Sequence, residues 1–152
     1  MEIRRAREGE AAALTALAWA SKAHWPYPAE QIDAWRDDLY ISDDQIATTP
    51  VFVAETEGNI AGFFQLLPQG ETWVLEHFWV LPGQMGKGVG RALLVYARGL
   101  AAAGGANRIS IDADPYAERF YRACGANTVD IKAAPIPGMP QRVRPQMLLA
   151  TK

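Results

Sequence analysis

An apolar run, Thr72 to Val80 (TWVLEHFWV), is followed within a few residues by Gln84 to Leu94 (QMGKGVGRALL), where glycine occupies positions 86, 88 and 90. The run has strand length and strand composition, and its near-continuous apolar character predicts a strand buried on both faces. The residues after it take up a helical stripe, Val89, Ala92, Leu93, Tyr96, Ala97 and Leu100, which Gly104-Gly105 ends. A strand therefore passes into a helix through a glycine turn. Glycine weakens helices and strands alike, and Lys87 and Arg91 sit at the helix end where the macrodipole favours anions over cations. Both features make sense if a negative group rests on that helix N-terminus, held by backbone N–H groups that side chains do not obstruct.

The charge pattern agrees. From His77 to Ile111 there is no Asp or Glu, while Lys87, Arg91, Arg98 and Arg108 all fall in that stretch. The plainer alternative is a tight turn flanked by solvated cations. A P-loop needs G-x-x-x-x-G-K-[ST], which is absent, and a dinucleotide site needs G-x-G-x-x-G where this loop reads G-x-G-x-G. Asp112, at the end of the next strand, stands where a ribose-binding acid could sit, which keeps a nucleotide-binding oxidoreductase as a rival. Against it, the loop follows about the fourth strand instead of opening a βαβ array.

The rest of the chain supplies the frame. Strands are expected at Ile3–Arg5, Val51–Glu55, Ile60–Leu67, Arg108–Asp112, Thr128–Lys132 and Val143–Leu149. Helices are expected at Glu10–Ala23, Ala29–Leu39, Gly88–Ala103 and from Asp114, with Pro115 at its first position, to Gly125. Antiparallel strands come first and one β-α-β crossover is central, so the fold class is α/β (α+β), a central mixed, mostly antiparallel sheet flanked by about four helices. With 152 residues and no linker or repeat, one domain over 1–152 is expected. A net charge of −2 and a pI near 5.7 carry no nucleic-acid footprint and no polybasic membrane anchor. Cys124 is the single cysteine, so no internal disulfide forms, and the opening MEIRRAREGE lacks a signal-peptide apolar core. A cytoplasmic location is the expectation.

Two segments carry a resemblance. FWVLPGQMGKGVGRALL resembles the acetyl-CoA-binding segment of GNAT-type N-acetyltransferases, hydrophobic-x-Val-x-Pro followed by [Gln/Arg]-x-x-Gly-x-[Gly/Ala]. About 25 residues further on, DPYAERFYRACGA is similar to the next family segment, Asn-x-x-Ala-x-x-Phe-Tyr-x-x-x-Gly. The resemblance implies a GNAT-like domain whose fourth and fifth strands splay apart, and direct acetyl transfer from acetyl-CoA to a primary amine of a small molecule or peptide in a ternary complex. It implies that Met85, Gly86, Lys87, Gly88, Val89, Gly90 and Arg91 surround the pyrophosphate, and that the backbone of Phe78, Trp79 and Val80 pairs with the pantetheine arm. Two positions depart from the pattern. Met85 replaces Gln/Arg and keeps only its N–H for the cofactor, and Asp114 replaces Asn, making helix capping its main duty and a cofactor contact a secondary one.

Amine acetylation needs a base for the amine and a proton for the thiolate. Alternation along Thr72–Val80 puts Val74, Glu76, Phe78 and Val80 on one face and Leu75, His77 and Trp79 on the other. The resemblance turns the face of Glu76 to the acceptor. Glu76 is the expected base, with a pKa raised by apolar neighbours, or else an ion-pair partner of an arginine; His77 reads as a core histidine. Tyr121 is the expected acid, its role implied by the resemblance, against the reading of a hydrogen-bonded core tyrosine. His24, Trp25 and Tyr27, in a proline-broken loop among further aromatics (Trp19, Trp35, Tyr40), are the expected acceptor wall. Arg142 and Arg144 read as solvated cations, with an acidic acceptor as their functional alternative. Cys124 is a poor nucleophile candidate, and no metal is called for. A non-catalytic acyl-CoA-binding or sensor module of the same fold is the rival from another class. A homodimer, through the last strand or exposed aromatics, stays open.

Overall fold

The computed structural model describes residues 1–152. Along the chain run β1 (Glu2–Arg5), α1 (Ala11–Ala23), α2 (Ala29–Ala34), α3 (Arg36–Leu39), α4 (Asp43–Thr48), β2 (Val51–Thr56), β3 (Asn59–Leu67), β4 (Thr72–Val80), α5 (Val89–Ala103), β5 (Arg108–Asp112), α6 (Glu118–Ala123), β6 (Asn127–Ala133) and β7 (Val143–Ala150). Short 3₁₀ turns occupy Pro82–Gln84 and Pro115–Ala117. The strand order is β1-β2-β3-β4-β5-β7-β6. Pairing is antiparallel between β1 and β2, β2 and β3, β5 and β7, and β6 and β7, and parallel between β4 and β5. This is the mixed, mostly antiparallel α/β arrangement that the sequence leads one to expect.

By compactness the chain divides inside β4 into two units, residues 1–66 with 77–96, and residues 67–76 with 97–152. In the first unit, Leu14, Leu17 and Ala18 of α1 are buried, as are Val51, Val53, Phe63 and Phe64 of the β2–β3 hairpin. Each large apolar side chain so covered contributes about 1.5–3 kcal/mol. Phe52 stacks on Phe64 with ring centroids 5.6 Å apart, and Tyr96 of α5 lies 5.1 Å from Phe52. The hairpin turns at Glu57 and Gly58, both at positive φ (52° and 80°), the backbone of a two-residue turn matched to strand twist.

Three features differ from expectation. The helix expected over Ala29–Leu39 breaks at Trp35, whose φ/ψ of −88°/10° ends α2 and opens α3. A further helix, α4, starts at Ser42: its Oγ accepts from the Gln45 N–H at 3.1 Å while Gln45 Oε1 accepts from the Ser42 N–H at 2.8 Å, a reciprocal capping box. Six α-helices result where about four were expected. Third, β4 is not covered on both faces: Leu75 and His77 are buried and Glu76 is exposed, the alternation of a strand with one covered face.

In the second unit, Ile109 and Ile111 of β5 pack with Met147 and Leu149 of β7, all buried. Parallel pairing of β4 with β5 runs from Thr72↔Arg108 to Leu75↔Ile111 and stops there, so Glu76 is the first residue of β4 beyond it. β6 is largely exposed and carries a register shift at Thr128/Asp130.

Candidate functional site

The glycine loop has the geometry its composition suggests. Gly86 and Gly88 take φ of 78° and 85°, values that L side chains rarely adopt, and the space where their Cβ atoms would stand is open. Gly86, Lys87 and Gly88 are exposed and Val89 is buried, so the apolar stripe anchors the helix while the loop faces outward. The Ala92 N–H bonds back to Gly88 O at 3.0 Å, which marks the start of α5, and the N–H groups of a helix's first turn point out of its N-terminal end. No acidic residue lies in the first turn. Met85 differs from expectation: its N–H closes the Pro82–Gln84 turn by bonding Pro82 O at 3.3 Å and is not free for a ligand. Gly90 is half-covered and Arg91 exposed.

On the last part of β4, Phe78, Trp79 and Val80 are half-buried. The Trp79 indole N–H donates to His77 Nδ1 at 2.9 Å. Burial pushes the His77 imidazole down to about 4, against smaller upward pulls from the Tyr40 backbone and the Asp38 charge. His77 is therefore neutral near pH 7, a core residue that fixes the Trp79 ring, as its position on the covered face implies. The exposure of Glu76 removes the apolar enclosure expected around its carboxylate and leaves it open to water.

The aromatic wall contains a residue that the sequence did not single out. Lys22, on the covered side of α1, is only 5% exposed. Its Nζ lies 4.4 Å from the Trp35 ring centroid, 5.2 Å from that of Tyr27 and 6.0 Å from that of Trp79. Ring faces attract an ammonium by about 0.5–2 kcal/mol each, which helps offset the cost of covering the charge. Tyr27 is buried and meets Trp35 edge-on at 4.9 Å. Trp25 is half-buried and His24 exposed, their rings 4.9 Å apart. Of the expected wall, His24 and Trp25 reach the surface and Tyr27 backs them. The signal for Lys22 was present: it is the only charged residue in α1 and follows the inward-facing Ser21.

In the second unit Asp114 does more than cap. Its Oδ1 accepts from the Tyr116 N–H at 2.9 Å, starting the 3₁₀ turn and not α6 itself, and its Oδ2 faces Arg142 Nη2 at 3.5 Å. Arg142 also donates to Ala134 O at 3.1 Å and keeps only 5% of its side chain exposed. It is a buried partner, not a solvated cation. Arg144 holds Asp112 through its side chain at 2.8 Å and its backbone at 2.7 Å. Burial pushes the Asp112 carboxyl up, but the hydrogen bonds from Arg144 and Gln146 outweigh it and hold it below the usual range, so Asp112 is committed and not poised for a ribose. Tyr121 is buried on α6, and that burial pushes its phenol well above its ordinary value, with Arg144 pulling the other way and Asp114 adding to the rise. Tyr121 stays protonated across the working pH range.

The Acetyltransferase (GNAT) family profile matches residues 12–126, which is 115 of the 152 residues and includes the glycine loop and α6. The chain belongs to the GNAT acetyltransferase family. Its fold has many solved counterparts. A GCN5-related N-acetyltransferase of Rhodopseudomonas palustris superposes with a TM-score of 0.79 at 23% identity, covering 98% of this chain and 94% of that one. The PaiA N-acetyltransferase of Thermoplasma acidophilum, in complex with coenzyme A, gives 0.81 at 18% identity with 98% of each chain covered. The ribosomal-protein-S18-alanine N-acetyltransferase of Escherichia coli gives 0.74 at 17% identity, covering 99% and 94%. Among curated proteins no significant match is found. No helix of this GNAT protein is long and apolar enough to cross a membrane.

Proposed function

We propose that this GNAT protein, acting as one domain over residues 1–152, transfers the acetyl group of acetyl-CoA directly to a primary amine of a small molecule or peptide in a ternary complex. The observation that carries the reading is the loop from Met85 to Arg91: two glycines at positive φ with open space before them, at the start of a helix whose first turn holds no acid and whose dipole is positive at that end. That cradle fits a pyrophosphate, which backbone donors and the helix dipole bind together. Lys87 and Arg91, both exposed, attract the anionic cofactor at longer range. A structural neighbour in complex with coenzyme A and another that acetylates an alanine of a ribosomal protein support the cofactor and an amine acceptor.

When bound, acetyl-CoA supplies an activated acyl group and a thiolate leaving group; the chain's own residues supply position and protons. The backbone of Phe78, Trp79 and Val80 offers strand-like hydrogen bonds to the pantetheine arm, and Trp79 is held in place by His77. Glu76, exposed, takes the proton of the incoming ammonium directly or through water, so that a neutral amine attacks. The phenol of Tyr121 donates toward the departing sulfur. With so high a pKa it acts chiefly as a strong hydrogen-bond donor that completes transfer as charge builds on sulfur. Asp114 contributes by setting the turn that leads to Tyr121, and touches the cofactor less directly. His24 and Trp25 face the acceptor, with Tyr27 behind. The chemistry uses no metal.

A thiol-release screen with acetyl-CoA against a chemically diverse amine library tests the function. Release that depends on particular amines and yields the matching amide is expected. Tight CoA binding with no turnover across the library would favour the non-catalytic acyl-CoA sensor instead.

A further inference from the structure

The one charged side chain of α1, Lys22, is buried, and the residues this helix turns outward are Ala12, Ala13, Ala16 and Ala23. A surface helix ordinarily places charged residues on that side. Beside this bare face, the Tyr40–Asp43 segment closes a groove of about 560 Å³ lined by Ala12, Thr15, Ala16, Trp19, Tyr40 and Asp43, among others. Its shape is fixed by hydrogen bonds at both ends. Thr15 Oγ1 accepts from the Ile41 N–H and donates to Ile41 O, each at 3.1 Å. Asp43 Oδ1 accepts from the Gly9 N–H at 3.0 Å, which leaves Oδ2 unengaged. Tyr40, at the rim, is 57% exposed.

The groove offers alanine methyls, two aromatic rings and one carboxylate. Along the chain on its Tyr40–Asp43 side the charges are acidic: Asp37, Asp38, Asp43 and Asp44 follow one another closely, and no lysine or arginine occurs between Arg36 and Lys87; ahead of α1, Arg7 stands between the acids Glu2, Glu8 and Glu10. Ring faces and a carboxylate both attract a weakly hydrated cation, and the alanines favour an apolar body. None of these residues belongs to the acyl-transfer site proposed above. We infer that this groove is a separate binding site for an amphiphilic organic cation, an alkyl- or arylammonium, with its charge against Asp43 and its body between Trp19 and Tyr40. Anions and neutral compounds of the same shape are excluded by the surrounding carboxylates or lack their attraction.

Benzyltrimethylammonium tests the site apart from catalysis, because a quaternary nitrogen has no proton to lose and cannot be acetylated. Titrated into the ¹⁵N-labelled full chain, it should give saturable shifts at the Trp19 indole and at the Ala16 and Tyr40 amides. Asp43→Asn keeps an oxygen for the Gly9 N–H and removes the charge, and Tyr40→Ala removes an exposed ring; each should weaken binding about fivefold or more. Benzyl alcohol should bind at least about tenfold more weakly than the cation, and benzenesulfonate should not bind. The inference is overturned by the absence of saturable shifts at these residues, by equal affinity for benzyl alcohol, or by unchanged affinity in both variants. Shifts confined to His24, Trp25 and Tyr27 would also overturn it, placing the cation in the acceptor wall.

Discussion

Arg142 and Asp114 form an ion pair at 3.5 Å with 5% and 10% of their side chains exposed, and each partner has a second task. Asp114 starts the 3₁₀ turn before α6, and Arg142 holds the Ala134 carbonyl of the segment joining β6 to β7. The pair thereby ties that segment to the turn leading to Tyr121. Removing one partner strands the other charge under cover, which costs about 3–5 kcal/mol. Arg142→Ala is expected to destabilise the fold on that scale in urea unfolding. The double variant Arg142→Met/Asp114→Asn, which keeps an acceptor for the Tyr116 N–H, should recover much of the loss. Losses that simply add would show that the two side chains are not coupled.

The loop predicts a separation between binding and charge. Gly88→Val puts a branched side chain at φ 85° and in front of the N–H donors, so CoA affinity should fall by at least about 2 kcal/mol in calorimetry. Lys87→Ala, removing an exposed and screened charge, should cost far less, and its effect should fade with added salt. Wild-type affinity in a folded Gly88→Val variant would remove the pyrophosphate cradle.

His77 makes stability depend on pH. Its imidazole is near 4 in the folded chain against a reference of 6.5, so between these values the unfolded chain binds the extra proton. The stabilisation is fully present above about pH 6.5, declines as pH falls toward 4, and changes no further below that; its span is about 3 kcal/mol. His77→Gln should flatten this part of the stability profile measured by chemical unfolding. An unchanged slope in the variant would mean that other groups carry the acid sensitivity.

Tyr121→Phe removes one oxygen from a buried ring and preserves its packing. The proposed role predicts a fall in kcat of about 10²-fold or more, with CoA affinity and Tm nearly unchanged. A drop in Tm with kcat intact would identify Tyr121 as a structural residue and leave solvent as the proton source.

What the sequence discloses is what local spacing reports. β4 and β5 have the expected bounds, Thr72–Val80 and Arg108–Asp112, because β-rich runs bounded by breakers leave little choice of ends. The glycine loop was legible because its residue types act through their own backbone. The break at Trp35 was not, since apolar spacing continues through it and the interruption accompanies contacts with Tyr27 and Lys22. The α4 helix was missed despite its Ser42-x-x-Gln45 signature, because six residues are too few to show helical periodicity. The Arg142–Asp114 pair, 28 residues apart in the chain, and the aromatic setting of Lys22 depend on how distant segments meet, and no local pattern encodes that. Glu76 shows the converse: its apolar sequence neighbours suggested enclosure, yet strand alternation turns it out to solvent.

Direct acetyl transfer to an amine is tested most directly by following the acetyl group itself. Intact-protein and product mass spectrometry would be run on the enzyme with isotope-labelled acetyl-CoA, with and without an amine that promotes thiol release. The label should appear only in the amide product, in amounts equal to the thiol released, and the protein should remain unlabelled when the amine is withheld. Label on Cys124 or elsewhere in the protein that an added amine then removes, or thiol released without amide, would contradict direct transfer.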